Sequence, residues 1–125
     1  MSDKKKILIV EDDADLRLGM SVRLRAEFLT SFAADGATAI QAAQKERPDL
    51  ILLDLGLPAG DGFVVLQRLK AIPHLAVIPV IVISARSVEG NEAKALGLGA
   101  ECMFQKPVDD EILLEAIRVT LRKQG

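Results

Sequence analysis

Acidic residues stand where apolar runs end. Ile7-Leu8-Ile9-Val10 stops at Glu11-Asp12-Asp13, Leu50-Ile51-Leu52-Leu53 stops at Asp54, and two later runs stop at Ser84 and Lys106. If these runs are parallel strands of one sheet, their ends share one edge, where ligands of open α/β sheets bind. The carboxylates of Glu11, Asp12 and Asp54 would then repel one another. At about 5 Å and an effective dielectric near 20 that costs about 3 kcal/mol per pair, a large sum for a domain of ordinary stability. A cation has to sit among them. Oxygen donors with no His or Cys pair nearby suit Mg²⁺, which takes one or two carboxylates together with water and phosphate oxygens. A carboxylate can also be the nucleophile of phosphoryl transfer, becoming an aspartyl phosphate. A cation and a fixed lysine would then neutralise the equatorial oxygens, and a hydroxyl such as Ser84 would donate to one of them. One strand-end acid alone is more often a solvated loop residue. The set spread over four strand ends is what argues for chemistry.

The elements that must position these groups follow from the apolar pattern. Lys6 to Val10 has no polar alternation and predicts a buried strand. Leu16, Met20, Leu24 and Phe28 recur at four-residue spacing and predict a helix over residues 13–27, with Asp13 or its neighbour as N-cap. Residues 29–33 predict a short second strand, Asp35-Gly36 a turn, and the Ala-rich stretch 37–46 a helix stopped by Pro48. Residues 49–54 form the third predicted strand, followed by a loop carrying Gly56, Pro58, Gly60 and Gly62. Phe63, Leu66 and Leu69 mark a helix ending before Pro73, and residues 77–84 carry a fourth strand centred on Val80-Ile81-Val82-Ile83. A helix over 87–96 is expected to be weak, because Gly90 and Asn91 cost it about 1 kcal/mol against Ala. A strand over 102–105 leads through Lys106-Pro107 to a helix over 110–123 that should bury Ile112, Leu113, Ala116, Ile117 and Leu121. Strand and helix alternate throughout, with connections that require parallel strands. The implied fold is a doubly wound α/β sandwich.

Composition narrows the function. The 125 residues suit one domain with one core, and 50% hydrophobic content with 27% charged residues is that of a folded chain. No apolar run approaches the roughly 20 residues that span a bilayer, and no signal peptide is evident, so the cytoplasm is the expected location. Sixteen basic residues against eighteen acidic ones are scattered and form no stripe, and four Phe with no Trp or Tyr offer few stacking surfaces. Direct nucleic-acid binding is not expected. The single cysteine, Cys102, reads as an apolar filler.

With these residues in place, the whole chain resembles the receiver domain of two-component response regulators. The motifs that carry the resemblance are Ile9-Val10-Glu11-Asp12-Asp13, the loop Asp54-Leu55-Gly56-Leu57-Pro58-Ala59-Gly60-Asp61-Gly62, Ile83-Ser84-Ala85 and Lys106-Pro107. The resemblance implies a flavodoxin-like (βα)5 three-layer sandwich with a parallel five-stranded sheet of order 2-1-3-4-5, in a single domain over residues 1–125. It implies Asp54 as phosphoacceptor, and Glu11, Asp12, Asp54 and the Gly56 backbone carbonyl as ligands of Mg²⁺ or Mn²⁺. Ser84 and Lys106 would bind phosphoryl oxygens. The donor would be a sensor histidine kinase or a histidine phosphotransfer protein, and an effector would dock on the face made by the fourth helix, fifth strand and fifth helix. A monomer, or a weak dimer formed on phosphorylation, is implied. The family's Tyr or Phe three residues before the lysine is replaced here by Met103, which would act with Ser84 in an altered switch; Phe104 should point to the other side of its strand. Gly56 and Arg86 should flank the path of an attacking water. With no side chain at Gly56, a short-lived phosphoryl group is expected unless Arg86 covers it.

Other residues have plainer roles. His74 reads as a solvated loop residue, Asp13-Ala14-Asp15 lacks the glycine and glutamate of a calcium loop, and Gly97 and Gly99 read as a helix end. Asp61, Asp109 and Asp110 read as capping residues. Two competing functions fit parts of the pattern. A receiver that never takes phosphate would bind partners by contact alone. A phosphatase of the haloacid dehalogenase kind would need a second Asp two residues beyond the nucleophile, where this chain has Gly56.

Overall fold

The computed structural model describes residues 4–57 and 61–124. Pro58, Ala59 and Gly60 of the loop motif lie outside the described residues. In chain order the elements are β1 (Lys6–Val10), α1 (Ala14–Leu24), β2 (Leu29–Ala33), α2 (Gly36–Glu46), β3 (Leu50–Leu53), α3 (Gly62–Ala71), α4 (Pro73–Ala76), β4 (Val80–Ser84), α5 (Glu92–Gly97), β5 (Cys102–Gln105) and α6 (Asp110–Gln124). The strands form one sheet in the order β2-β1-β3-β4-β5, with all pairs parallel. This is the expected topology.

Central strands read as unbroken apolar runs because helices cover both faces of the sheet. Alternate residues feed two cores. Leu8, Val10, Ile51, Leu53, Val80 and Val82 pack with Ala39, Ala43, Phe63, Leu66 and Leu69 of α2 and α3. Ile7, Ile9, Leu50, Leu52, Ile81 and Ile83 pack with Met20, Leu24, Phe28, Leu113 and Ile117 on the α1 and α6 side. Aspartates start four of the helices: Asp13, Asp35, Asp61 and Asp109 each accept hydrogen bonds from first-turn amides. Arg47 closes α2 with a left-handed φ of 49° just before Pro48.

The structure revises several local expectations. Leu16 is 44% exposed and Ile112 is 56% exposed. In α6 the buried stripe is Leu113, Ile117 and Thr120, at i, i+4 and i+7, with Ala116 and Leu121 only partly covered, and Ile112 falls outside it. β3 runs from Leu50 to Leu53, one residue shorter at each end than expected, and the Asp49 carboxylate before it accepts the Lys6 amide at 2.7 Å. Residues 77–79 precede β4 instead of joining it. His74 lies in the one-turn helix α4, which Pro73 starts, and is exposed. That extra turn makes the predicted fourth and fifth helices α5 and α6. α5 is shorter than expected, with Gly90 at φ 79° before it and no side-chain cap from Asn91.

Candidate functional site

Backbone pairing brings the strand-end groups together. The Glu11 amide bonds to the Ala33 carbonyl, the Asp54 amide to Val10 and the Lys106 amide to Ser84, so each of these residues extends its strand by one step. Their side chains then share the carboxyl edge of the sheet. Glu11 is 2% exposed and Asp54 8%, whereas Asp12 is open to solvent. One carboxylate oxygen from each of the three lies within 4.8 Å of the other two. Lys106 reaches across with its Nζ 2.5 Å from Glu11 Oε1 and 3.3 Å from Asp54 Oδ2.

Charge in the pocket is only partly compensated. Burial pushes the Glu11 carboxyl above its ordinary value; hydrogen bonds from Lys106 and the Asp13 amide oppose this, and the Asp54 charge adds to it. Burial also opposes the charge on Lys106, but its hydrogen bond to Glu11 and the charges of Asp54 and Glu11 outweigh that and raise its pKa. Among the described residues no basic side chain pairs with Asp12. The donor set is therefore all oxygen, dianionic after Lys106 is counted, and open to water on the Asp12 side. It fits a hard divalent cation that keeps part of its hydration shell.

Two groups hold this edge in shape in ways that sequence reasoning did not assign: Arg17, which it passed over, and Gly62, which it read only as part of a loop. Arg17, one turn into α1, turns back to donate to the Glu11 carbonyl at 2.8 Å and the Asp12 carbonyl at 3.3 Å. Its position one turn past the Asp13 cap was the available signal. Gly62 packs directly beneath Asp54: a Cβ there would stand 2.4 Å from Leu55 Cα and 2.5 Å from the Asp54 carbonyl oxygen. The loop after β3 folds back through a bond from the Gly62 amide to the Leu55 carbonyl at 2.9 Å. Only glycine permits that approach.

The remaining predicted residues fall around this centre. The Gly56 amide donates to Asp54 Oδ1 at 3.1 Å, and among the described residues a Cβ at Gly56 would meet nothing nearer than that oxygen at 3.9 Å. Ser84 is 1% exposed, and its Oγ accepts the Arg86 amide at 3.1 Å. The Arg86 guanidinium has two partners among the described residues. It pairs with Asp61, at 3.4 Å to both carboxylate oxygens, and stands 5.8 Å from the centre of the Phe63 ring. Lys94 of α5 approaches the same ring at 4.3 Å. Met103 is buried in the core shared with α3 and α5, while Phe104 packs toward the opposite core.

Comparison with known proteins agrees with this geometry. Residues 7–118 match the family model described as response regulator receiver domain. The response regulator PleD of Caulobacter vibrioides is 40% identical over 119 residues, which cover 94% of this chain and 26% of that protein. Several other curated relatives are transcriptional regulators of which the chain spans about half. Among solved structures, a CheY-like receiver domain protein from Methanospirillum hungatei superposes with a TM-score of 0.88 at 28% identity, covering 98% of this chain and 97% of that one. The receiver domain of sensor histidine kinase PA1611 from Pseudomonas aeruginosa, solved with magnesium coordinated in its active-site cleft, gives 0.86 at 26% identity, covering 94% and 98%. With the strand order and the acidic edge already described, the chain belongs to the response regulator receiver domain family of two-component signalling and has its flavodoxin-like fold.

Proposed function

We infer that the chain, as one receiver domain over residues 1–125, accepts a phosphoryl group on Asp54 from a phosphohistidine of a sensor kinase or phosphotransfer protein. The observation that carries this is the cluster of Glu11, Asp12 and Asp54 oxygens within 4.8 Å of one another, bridged on one side by Lys106. An Asp54 oxygen forms the new bond to phosphorus as the phosphorus–nitrogen bond breaks, and the departing imidazole takes up a proton. Glu11, Asp12, Asp54 and the Gly56 carbonyl would hold Mg²⁺ or Mn²⁺, which when bound supplies positive charge to the transferring oxygens. Lys106 is already in contact with Asp54 and is placed to follow one phosphoryl oxygen. Ser84 can turn its hydroxyl, whose oxygen now accepts from Arg86, toward another.

Phosphorylation adds charge at Asp54 and biases the loops after β3 and β4 between two arrangements, with Ser84 and Met103 as the switching pair. The output surface is the face of α5, β5 and α6, where Ile112 and Val119 are exposed. Hydrolysis returns Asp54 and inorganic phosphate, so the chain assists its own cycle without turning over outside esters. A cytoplasmic setting suits a kinase-linked phosphoacceptor; among the described residues no helix is long and apolar enough to cross a membrane.

The test is incubation with Mg²⁺ and acetyl phosphate, read by intact mass. A gain of one phosphoryl group that disappears in Asp54→Ala is expected. An unchanged mass would indicate a contact-only receiver, and steady turnover of added phosphate esters would indicate a phosphatase.

A further inference from the structure

Little in α5 itself holds it against the sheet. The helix is six residues long, its N-cap Asn91 makes no side-chain bond to the first turn, and Ala95 is its one buried side chain. Val88 before it and Leu98 after it are only partly buried against the core. A single alanine methyl is a small hold for a helix well below the length at which helices persist alone.

One further side chain ties it down. The Lys94 ammonium stands 4.3 Å from the centre of the Phe63 ring, and among the described residues no acid pairs with it. An ammonium set over a ring with no carboxylate to draw it there is held by the ring face. The Arg86 guanidinium is farther from the same ring, at 5.8 Å, and is engaged by Asp61. The ring is fixed from below. Phe63 is buried in the core, its amide donates to Asp61 Oδ1 at 2.9 Å, and it directly follows Gly62, whose backbone packs on Leu55 and the Asp54 carbonyl. A shift of the loop after β3 therefore carries the ring with it, and Lys94 meets a displaced partner.

We propose that Lys94 and Phe63 form a clasp that docks α5 on the loop following Asp54, so that α5 opens and closes with the position of that loop. The link to Asp54 rests on the phosphoacceptor role inferred above; the clasp in the resting chain does not. It acts from the β3 side and needs neither the Ser84 hydroxyl nor an aromatic residue at position 103.

The experiment is hydrogen exchange on the intact chain, read by NMR at the Ala95 and Leu98 amides, which bond to the Asn91 and Lys94 carbonyls, with the amides of β1 as the reference for global opening. Lys94→Met keeps an aliphatic stem and removes the charge, while Phe63→Leu keeps an apolar core residue and removes the ring. Each should speed exchange in α5 about threefold, the size of an exposed cation–π contact, and Lys94→Met should leave β1 unchanged. The double variant should exchange no faster than Phe63→Leu alone, and Lys94→Arg should keep the wild-type rate. Exchange in Lys94→Met at the wild-type rate, or a further acceleration when Lys94→Met is added to Phe63→Leu, overturns the clasp. With Mg²⁺ and acetyl phosphate, a mass gain of one phosphoryl group in the wild type should come with a change in α5 exchange, and Lys94→Met should take up the group yet show a smaller change. The same change in both chains overturns the link to Asp54 alone. No mass gain in the wild type overturns the phosphoacceptor role and the link together, while the resting rates still decide the clasp.

Discussion

At the scale of single residues, the site depends as much on an absent side chain as on charged ones. Gly62 lies against Leu55 and the carbonyl of Asp54, where any Cβ would overlap backbone that cannot move aside without moving Asp54. Gly62→Ala should therefore cost about 1–3 kcal/mol, as overpacking does, and should show a lower urea midpoint. It should also reduce phosphoryl uptake even where the variant is folded. Alanine tolerated at position 62 with wild-type stability would contradict this close approach. The glycine itself was visible in the loop motif, but its reason was not, because the clash is with residues seven and eight positions earlier that only the folded loop brings under it.

At the scale of elements, two attachments hold helices to the frame. Lys70 at the end of α3 donates to the carbonyls of Ala76 at 3.0 Å and Ile78 at 2.9 Å, closing the turn that contains α4. Burial lowers its pKa, with the charge of Glu101 opposing the shift. Lys70→Ala leaves both carbonyls without this donor and should cost about 1–2 kcal/mol in chemical denaturation. The second attachment joins the turn after α1 to α6, where Arg118 makes two bonds to the Glu27 carboxylate at 2.7 and 2.8 Å. The Arg118 hydrogen bond holds the Glu27 carboxyl below its ordinary value of 4.5. A depressed folded-state pKa means that the pair contributes above the unfolded pKa and stops contributing as pH falls through the folded one. The stability difference between wild type and Arg118→Gln should thus be present at neutral pH and vanish in acid; a difference that grows on acidification would contradict the assignment. Because both groups are exposed, the effect should be small and should shrink with added salt.

At the scale of the whole molecule, the uncompensated acids at the sheet edge link cation binding to folding. Any ion that binds the native edge and not the unfolded chain stabilises by mass action, by about 2.7 kcal/mol at a hundredfold excess over its dissociation constant. The melting temperature should rise with Mg²⁺ concentration, and the rise should be lost in Asp12→Asn. An equal rise in that variant would place the ion elsewhere. The short, weakly capped α5 is the element where phosphorylation should show most, since low local stability lets small energies alter its population.

The sequence by itself determined the alternation of strand and helix, the residue ranges of β2 and β5, and the acids, hydroxyl and lysine at the strand ends. These are local signals: unbroken apolar runs, capping aspartates and proline stops act within a few residues of where they are read. Contacts between distant segments were decided only by the tertiary structure. The three carboxylates meet because parallel pairing aligns Val10 with Leu53, and Lys106 reaches Glu11 and Asp54 from the end of β5, three and two places away in the sheet. Helix faces were also settled there, since Leu16 and Ile112 fit an apolar period in sequence yet face solvent once the sheet has chosen which stripe to cover. Arg86 shows the same division: its presence beside Ser84 is plain in the chain, but its partner Asp61 lies 25 residues earlier and is found only when the two loops fold over one edge.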